Sequence, residues 1–270
     1  MTSVGSLGPL GVLYLKMRRL WPFGRFRGLC CAVLCAVVLC AAVPSRAEVG
    51  VYRLNTSTGA PYTTEDHTGF QDEIIAEAFS RLGLVGQVVS YKASARALIN
   101  ANNGVDQGVA MRVQGLEKRY PNLVRVEEKL VENEFVAYST GLNFSSNGWH
   151  SLLPYVVAYI NGWVIFERNL GATQEKHAVK LPEQLFAMLD KGYADVALYE
   201  RWQGLQRAKE TGLSVKVHEP PLASVDMFIY LNKQYADLAL KLSQVLRDMK
   251  ADGTYQAIYD RTLTSLLKPN

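Results

Sequence analysis

The feature that most constrains the fold is an alternation of strand-like and helix-like segments from residue 49 onward. Its first half reads VGVYRLN, GFQDEIIAEAFSRLG, GQVVSY, SARALINAN, GVAMRV and NLVRVEE. In the second segment apolar residues recur at helical spacing, as at Ile75, Phe79 and Leu82. The strand-like segments are short and rich in β-branched residues. This alternation predicts an α/β fold, in which helices cover the faces of a sheet.

The second half of the chain continues the alternation. NGWVIFE is predicted as a strand, ATQEKHAV and LPEQLFAMLDKG as helices, ADVALY as a strand and ERWQGLQRAKETG as a helix. LSVKVHE and VDMFIYLN are predicted as two separate strands, with a break between them at Pro220 and Pro221. Asp252 and Gly253 separate two closing helices, which are long and amphipathic. These two helices need an apolar face to cover, and the first half of the chain is the larger partner.

The first 47 residues have the composition of an export signal. They contain six of the 29 basic residues and none of the 25 acidic ones, so residues 48–270 carry 23 basic against 25 acidic side chains. A basic stretch, RRLWPFGRFR, precedes the apolar LCCAVLCAVVLCAAV and small residues at −3 and −1 before a cut after Ala47. We predict a signal peptide over residues 1–47, with Met17 as an alternative start, and a periplasmic product. A retained anchor is the weaker alternative, because the apolar run is shorter than the roughly 20 residues that span a bilayer.

The cysteines restrict the chemistry of the exported product. All of them lie inside the predicted signal, at Cys30, Cys31, Cys35 and Cys40. The remaining 223 residues therefore have no thiol, which excludes disulfides, thiolate catalysis and cysteine metal sites. Lipidation of Cys40 stays open, although Leu39 is bulky where a lipoprotein signal has a small residue. A chain of this length can bury one or two apolar cores without such links.

The order of several short motifs resembles the extracellular solute-binding proteins of family 3, the amino-acid-binding type. These motifs are GAPYT, GFQDEIIAEAFSRLG, LEKRY, LGATQE, ADVALYE and MKADGTYQAIYDR. The resemblance implies a two-lobed periplasmic-binding-protein type II fold with two crossover strands and a discontinuous first lobe. The lobes would comprise residues 48–137 with 222–270, and residues 138–221. It also implies a monomer without a cofactor, with a small-molecule ligand and the permease of an inner-membrane transporter as partners, and gives no role to nucleic acid.

The resemblance also implies three candidate ligand residues in the first lobe. Tyr62, in GAPYT, corresponds to an aromatic residue that stacks on the ligand, and the alternative is an exposed loop tyrosine. Arg119 corresponds by position to the arginine that binds the ligand's carboxylate, and the alternative is a surface charge. Arg112 stands where the family has a hydroxyl, at the end of a strand that points into the cleft. Its alternative is a structural ion pair with Glu127 or Glu128.

Two further candidates lie in the second lobe. GATQE resembles a loop that opens a helix, and Thr173 would donate its hydroxyl to the carboxylate. Independently of the family, free N–H groups and the dipole favour an anion at a helix start; the alternative is that Thr173 only caps its helix. Glu200, which ends ADVALYE, matches the acid that holds the ligand's ammonium, although Asp is more usual there. Its alternative is an acidic residue at the start of the next helix.

Motifs of enzymes are absent from the sequence. The four histidines have no metal-ligand spacing, and there is neither a Gly-x-Ser-x-Gly nor a phosphate-loop motif. We therefore predict a non-enzymatic, metal-free binding protein that captures a small carboxylate-bearing, amino-acid-like solute for a membrane transporter. The alternatives are a ligand sensor for a membrane receptor and a dehydratase-like enzyme on the same fold, with Glu200 as its candidate acid or base.

Overall fold

The computed structural model describes residues 50–171 and 175–268, and the predicted signal peptide lies outside them. In this part of the chain nine strands form one sheet. They are β1 (Val51–Thr56), β2 (Val85–Ser90), β3 (Gly108–Val113), β4 (Leu123–Arg125), β5 (Val131–Ser139), β6 (Val157–Ile160), β7 (Lys176–Val179), β8 (Val196–Glu200) and β9 (Lys216–Asn232). The helices are α1 (Phe70–Ser80), α2 (Ser94–Asn102), α3 (Val164–Asn169), α4 (Pro182–Asp190), α5 (Arg201–Thr211), α6 (Ala236–Ala251) and α7 (Thr254–Thr262). None of these helices has the length and apolar character needed to cross a membrane.

Two groups of parallel strands flank a pair of long antiparallel strands. The order across the sheet is β2-β1-β3-β9-β5-β8-β6-β7, and β4 pairs with β9. β1 is parallel to β2 and β3, and β6 is parallel to β7 and β8. Between the groups, β5 and β9 are antiparallel to each other, with β9 paired to β3 and β5 paired to β8. The predicted α/β class is confirmed, with β5 and β9 as the two crossover strands.

Separate apolar cores support the two groups. The core beside β1, β2 and β3 contains Phe79 of α1, Leu246 of α6 and Ile258 of α7. The C-terminal helices therefore cover the first group of strands, as their amphipathic pattern predicts. Beside β6 and β8, a second core contains Phe186 of α4 and Ala208 of α5, and a third surrounds Phe166 of α3.

Two predicted elements are wrong. NGWVIFE, predicted as a strand, contains the helix α3, and the strand of this region comes earlier, at Val157–Ile160. Periodicity alone does not separate a strand from a short helix in an apolar run of this length. Lys176–Val179, predicted as part of a helix, is the strand β7, which gains its hydrogen bonds by pairing with β6.

Pro220 and Pro221 do not interrupt β9, contrary to the sequence prediction. Along β5, Phe135 is opposite Ala223 and Ala137 is opposite His218, with a register shift between these pairs. The prolines therefore lie in an irregular part of the ladder, where their missing N–H groups are not needed for pairing.

Candidate functional site

A cavity of about 600 Å³ lies between the two groups of parallel strands. From the first group it is lined by Thr58, which follows β1, and by Met111 and Val113 at the end of β3. From the second group it is lined by Trp163, which follows β6, and by Glu200 at the end of β8. Ligands of α/β proteins bind at the carboxyl ends of parallel strands, where the loops meet. This cavity is therefore the candidate site.

Glu200 is the one acid among the described residues that line the cavity, and it is 1% exposed. Its Oε1 accepts a hydrogen bond of 2.8 Å from the Tyr62 hydroxyl, and its Oε2 accepts one of 2.9 Å from the backbone N–H of Gln203. Burial raises the pKa of Glu200 to about 7, although both of these bonds act to lower it. The bond from Gln203 caps α5, so the alternative of an acid at a helix start describes part of its role. Each carboxylate oxygen keeps a further lone pair for a ligand donor.

Tyr62 is fully buried and contacts the site through its hydroxyl rather than through the face of its ring. The ring packs edge-on against Phe70, with 6.2 Å between the ring centroids. The hydroxyl oxygen also lies 3.1 Å from Oδ1 of Asn133, which lines the cavity from β5. Tyr62 is thus not an exposed loop residue. In this structure it holds Glu200 in place and links the first group of strands to the second.

Arg201, the residue after Glu200, ties the start of α5 to both crossover strands. It is 9% exposed, and its guanidinium bonds to the carboxylates of Glu134 on β5 and Glu219 on β9, the latter at 2.7 Å. Behind it, the Tyr138 hydroxyl donates to the carbonyl of Arg201. These contacts fix the position of the Glu200 backbone at the edge of the cavity.

Gly204 lies in the first turn of α5, where Tyr138 packs too closely for a larger residue. A Cβ at this position would overlap the Tyr138 hydroxyl. The glycine therefore allows the tyrosine to approach the first carbonyls of the helix.

Arg112 forms a cluster with two serines at the edge of the first group of strands. Its guanidinium donates to Ser57 Oγ at 3.1 Å and to Ser94 Oγ at 3.0 Å. It also donates to the carbonyl of Met111 at 3.0 Å. Since Ser57 follows β1 and Ser94 opens the helix after β2, this Arg112 cluster lies at the carboxyl ends of three parallel strands. Arg112 itself does not line the cavity, although its neighbours Met111 and Val113 do.

The structural ion pair considered for Arg112 does not form. Glu127 pairs with Arg125 at 2.6 Å, and Glu128 pairs with Lys250 at 2.6 Å. Within residues 50–171 and 175–268, Arg112 has hydroxyl and carbonyl partners but no carboxylate. Burial lowers the pKa of its half-buried guanidinium, and the electrostatic effect of Tyr120 offsets this only in part.

Arg119 is not brought to the cavity, whose described lining does not include it. Arg119 is exposed, and its guanidinium lies 5.7 Å from the ring centroid of Tyr120. Thr173 lies outside the described residues. The helix expected to begin there is not found in the described residues that follow, since Lys176–Val179 is a strand.

Comparison with known proteins gives a likeness at the level of structure. No protein-family model matches the chain, and no curated protein matches its sequence. The chain is similar to the structure of a probable amino-acid ABC transporter extracellular-binding protein from Bacillus subtilis, with 16% identity, a TM-score of 0.65, and coverage of 80% of this chain and 98% of that one. It is also similar to an ancestral cationic amino acid solute-binding protein (18% identity, TM-score 0.65, 79% and 96% covered). A histidine kinase sensor domain with similarity to periplasmic binding proteins gives 16% identity, a TM-score of 0.62, and 80% and 96% covered.

The chain has the periplasmic-binding-protein type II fold. The fold implied by the resemblance to family 3 is thus confirmed.

Several residues at the cavity of this binding-protein fold were missed by sequence reasoning. Asn133 shares a face of β5 with buried Val131, and this alternation is a signal that could have identified it. Trp163, just before α3, and Arg168, within it, line the cavity and cannot be placed when their segment is interpreted as a strand. Ser57 stands in a loop without a distinguishing pattern, and only the fold brings it to Arg112.

Proposed function

We propose that this chain is an exported solute-binding protein of family 3 that closes on a small carboxylate-bearing, amino-acid-like ligand for a membrane transporter. Its lobes would be residues 48–137 with 222–270, and residues 138–221, after removal of residues 1–47. The observation that carries the proposal is the cavity between two groups of parallel strands, with a buried acid at its edge. Amino-acid-binding proteins with the same fold support it.

Glu200 is the proposed partner of the ligand's ammonium. It borders the cavity, and each of its oxygens has accepted one protein hydrogen bond. An ammonium beside the carboxylate would favour its charged form and offset the cost of burying it. Tyr62 and Gln203 would then act as positioning residues that fix the direction of the carboxylate.

Arg112 is the proposed partner of the ligand's carboxylate. A half-buried cation with neutral partners lacks the charge compensation that an anion would provide. Its planar guanidinium can bind a carboxylate with two parallel hydrogen bonds. Arg119 is the alternative partner, although its exposure would weaken the bond. Thr173 remains the candidate donor from the second lobe.

Closure of the two lobes requires a ligand that contacts both of them. Only a difference in affinity between the open and closed forms can shift the equilibrium towards closure. Arg112 belongs to the first group of strands and Glu200 to the second, so one amino-acid-like ligand that met both would supply this difference. The crossover strands β5 and β9 are the connections that would bend.

A thermal-shift screen tests this function. Amino acids, small organic acids, amines and sugars are added to the protein expressed from the full sequence. A ligand present at 100 times its dissociation constant should add about 2.7 kcal/mol to the free energy of unfolding. We expect stabilisation by amino acids or organic acids. Stabilisation by neutral sugars or amines alone would contradict the carboxylate proposal.

Two other functions have specific support. The likeness to a histidine kinase sensor domain supports a sensor, which would bind the same ligand but engage a receptor. The raised pKa of Glu200 beside a cavity supports an enzyme, because such a group can transfer protons near neutral pH. Mass spectrometry after incubation with the ligand separates the enzyme from both binding functions: an unchanged ligand is expected for binding, and a new product for catalysis.

A further inference from the structure

Both walls of the cavity carry apolar side chains. One wall is formed by residues of β3 and β9, namely Met111, Val113, Val225 and Met227. The other is formed by residues of β5, of α3 and just before α3, namely Phe135, Trp163, Val164 and Ile165. Pockets for small molecules combine such surfaces with a few polar groups that fix orientation. The methionines add flexible, polarisable side chains that adapt to the shape of a ligand.

Trp163 is held rigidly at the cavity by aromatic neighbours. Its ring stacks on Tyr199, with 4.8 Å between centroids and 22° between planes, and on Phe166 at 5.7 Å and 6°. Phe135, which also lines the cavity, packs edge-on against it at 6.0 Å and 89°. Trp163 is only half-buried. It therefore provides a fixed apolar surface, and little conformational entropy is lost when a ligand covers it.

Three polar side chains of the lining, those of Asn133, Asn169 and Glu200, have hydrogen-bond partners within the protein. Glu200 accepts from Tyr62 and Gln203. Asn169 Nδ2 donates to the carbonyl of Ile165 at 2.7 Å. If Glu200 takes the ligand's ammonium, a second positive charge on the ligand finds no further acid among the described residues of the lining.

An anionic side chain would find one cation among the described residues of the lining, Arg168 of α3. Arg168 is exposed, and solvent screens ion pairs at exposed positions. Burial of an aromatic ring against Trp163 and Phe135 does not suffer this screening, since its driving force is the removal of apolar surface from water.

We propose that the ligand is an amino acid with a bulky aromatic side chain, which is bound between the α3 wall, with Trp163, and the Met111 and Met227 wall. This inference deepens the proposed function and rests on it. The chain would thus differ in specificity from a binding protein for cationic amino acids with the same fold.

Isothermal titration calorimetry of the protein with L-tryptophan, L-phenylalanine, L-arginine and L-glutamate tests this specificity. We expect the aromatic amino acids to bind at least tenfold more tightly than L-arginine and L-glutamate. If L-arginine or L-glutamate binds most tightly, the aromatic inference is wrong and the proposed function stands. If none of the four binds and the thermal-shift screen also finds no acid, the proposed function fails together with the inference.

Val164→Asp is the variant that tests the wall. Val164 lines the cavity, is 49% exposed and is the first residue of α3, where an acid is favoured by the helix dipole. We expect L-tryptophan affinity to fall at least tenfold while the melting temperature stays unchanged. Val105→Asp, at a residue that is 54% exposed and outside the lining, is the matched control and should leave affinity unchanged. Equal affinities of the two variants for L-tryptophan would contradict the placement of the ligand's aromatic ring against the α3 wall.

Discussion

Two arginines near the ends of strands have opposite surroundings. Arg201, after β8, bonds to the carboxylates of Glu134 and Glu219, while Arg112, in β3, bonds to two serine hydroxyls and a carbonyl. Burial acts to lower the pKa of both guanidinium groups. For Arg201 the two acids outweigh it and raise the pKa above its ordinary value, whereas for Arg112 the pKa is lowered.

The difference separates a structural cation from one that can serve a ligand. The charge of Arg201 is compensated within the protein, so its loss should affect folding. The charge of Arg112 has no internal carboxylate among the described residues, so its loss should affect binding of an external anion. Glu200 combines features of the two arginines. Like Arg201 it is buried and bonded within the protein, and as in the proposed role of Arg112 its position allows contact with a ligand, because it borders the cavity.

The largest expected effect on stability comes from Glu200→Gln. This variant tests how strongly the free energy of unfolding depends on the protonation of Glu200. In the folded protein the pKa of Glu200 is about 7, against an ordinary value of 4.5, so folding binds a proton to this group. Its contribution to stability is therefore fully present below pH 4.5 and is lost as the pH rises through 7. At 1.36 kcal/mol per pKa unit, this loss is about 3 kcal/mol.

Urea unfolding of the wild type and Glu200→Gln between pH 4.5 and 8 measures this effect. The wild type should lose about 3 kcal/mol relative to the variant over this range. Glu65→Gln, at an exposed position, controls for the removal of a carboxylate from the chain. If the free energy of unfolding of the wild type and of Glu200→Gln changed in parallel with pH, the raised pKa of Glu200 would be refuted.

How much the sequence could predict differs between these regions for physical reasons. The bounds of α2 and β3 match their predicted segments, because both have clear apolar patterns between turn residues. The segment around α3 was assigned wrongly because its apolar run is too short for periodicity to decide. The serines beside Arg112 and the acids beside Arg201 come from distant parts of the chain. Such pairings depend on the tertiary fold, which a local pattern does not contain.

Arg201→Met should have the next largest effect on stability, and it tests whether Arg201 is a structural cation. Removing one partner of a buried ion pair leaves its carboxylates uncompensated, which costs 3–5 kcal/mol at fully buried sites. Glu134 and Glu219 have side chains that are 31% and 56% exposed, so we expect a loss of about 2–3 kcal/mol. Thermal unfolding should show a melting temperature lower by roughly 5–10 °C. Arg207→Met, at a more exposed arginine that also pairs with two acids, is the control and should cost much less.

Arg112→Met should show the smallest change in stability, and it tests whether Arg112 serves a ligand rather than the fold. A charge-assisted hydrogen bond contributes about 1.5–3 kcal/mol, so a carboxylate-bearing ligand identified by the thermal-shift screen should bind roughly 30-fold more weakly. The free energy of unfolding should fall by only about 1 kcal/mol, because the lost hydrogen bonds go to neutral partners and no carboxylate is left unpaired. Arg119→Met is the matched control and should retain affinity, since its guanidinium is exposed and contacts Tyr120. Loss of binding in Arg119→Met but not in Arg112→Met would transfer the carboxylate role to Arg119. Loss of folding in Arg112→Met would instead make Arg112 a structural residue like Arg201.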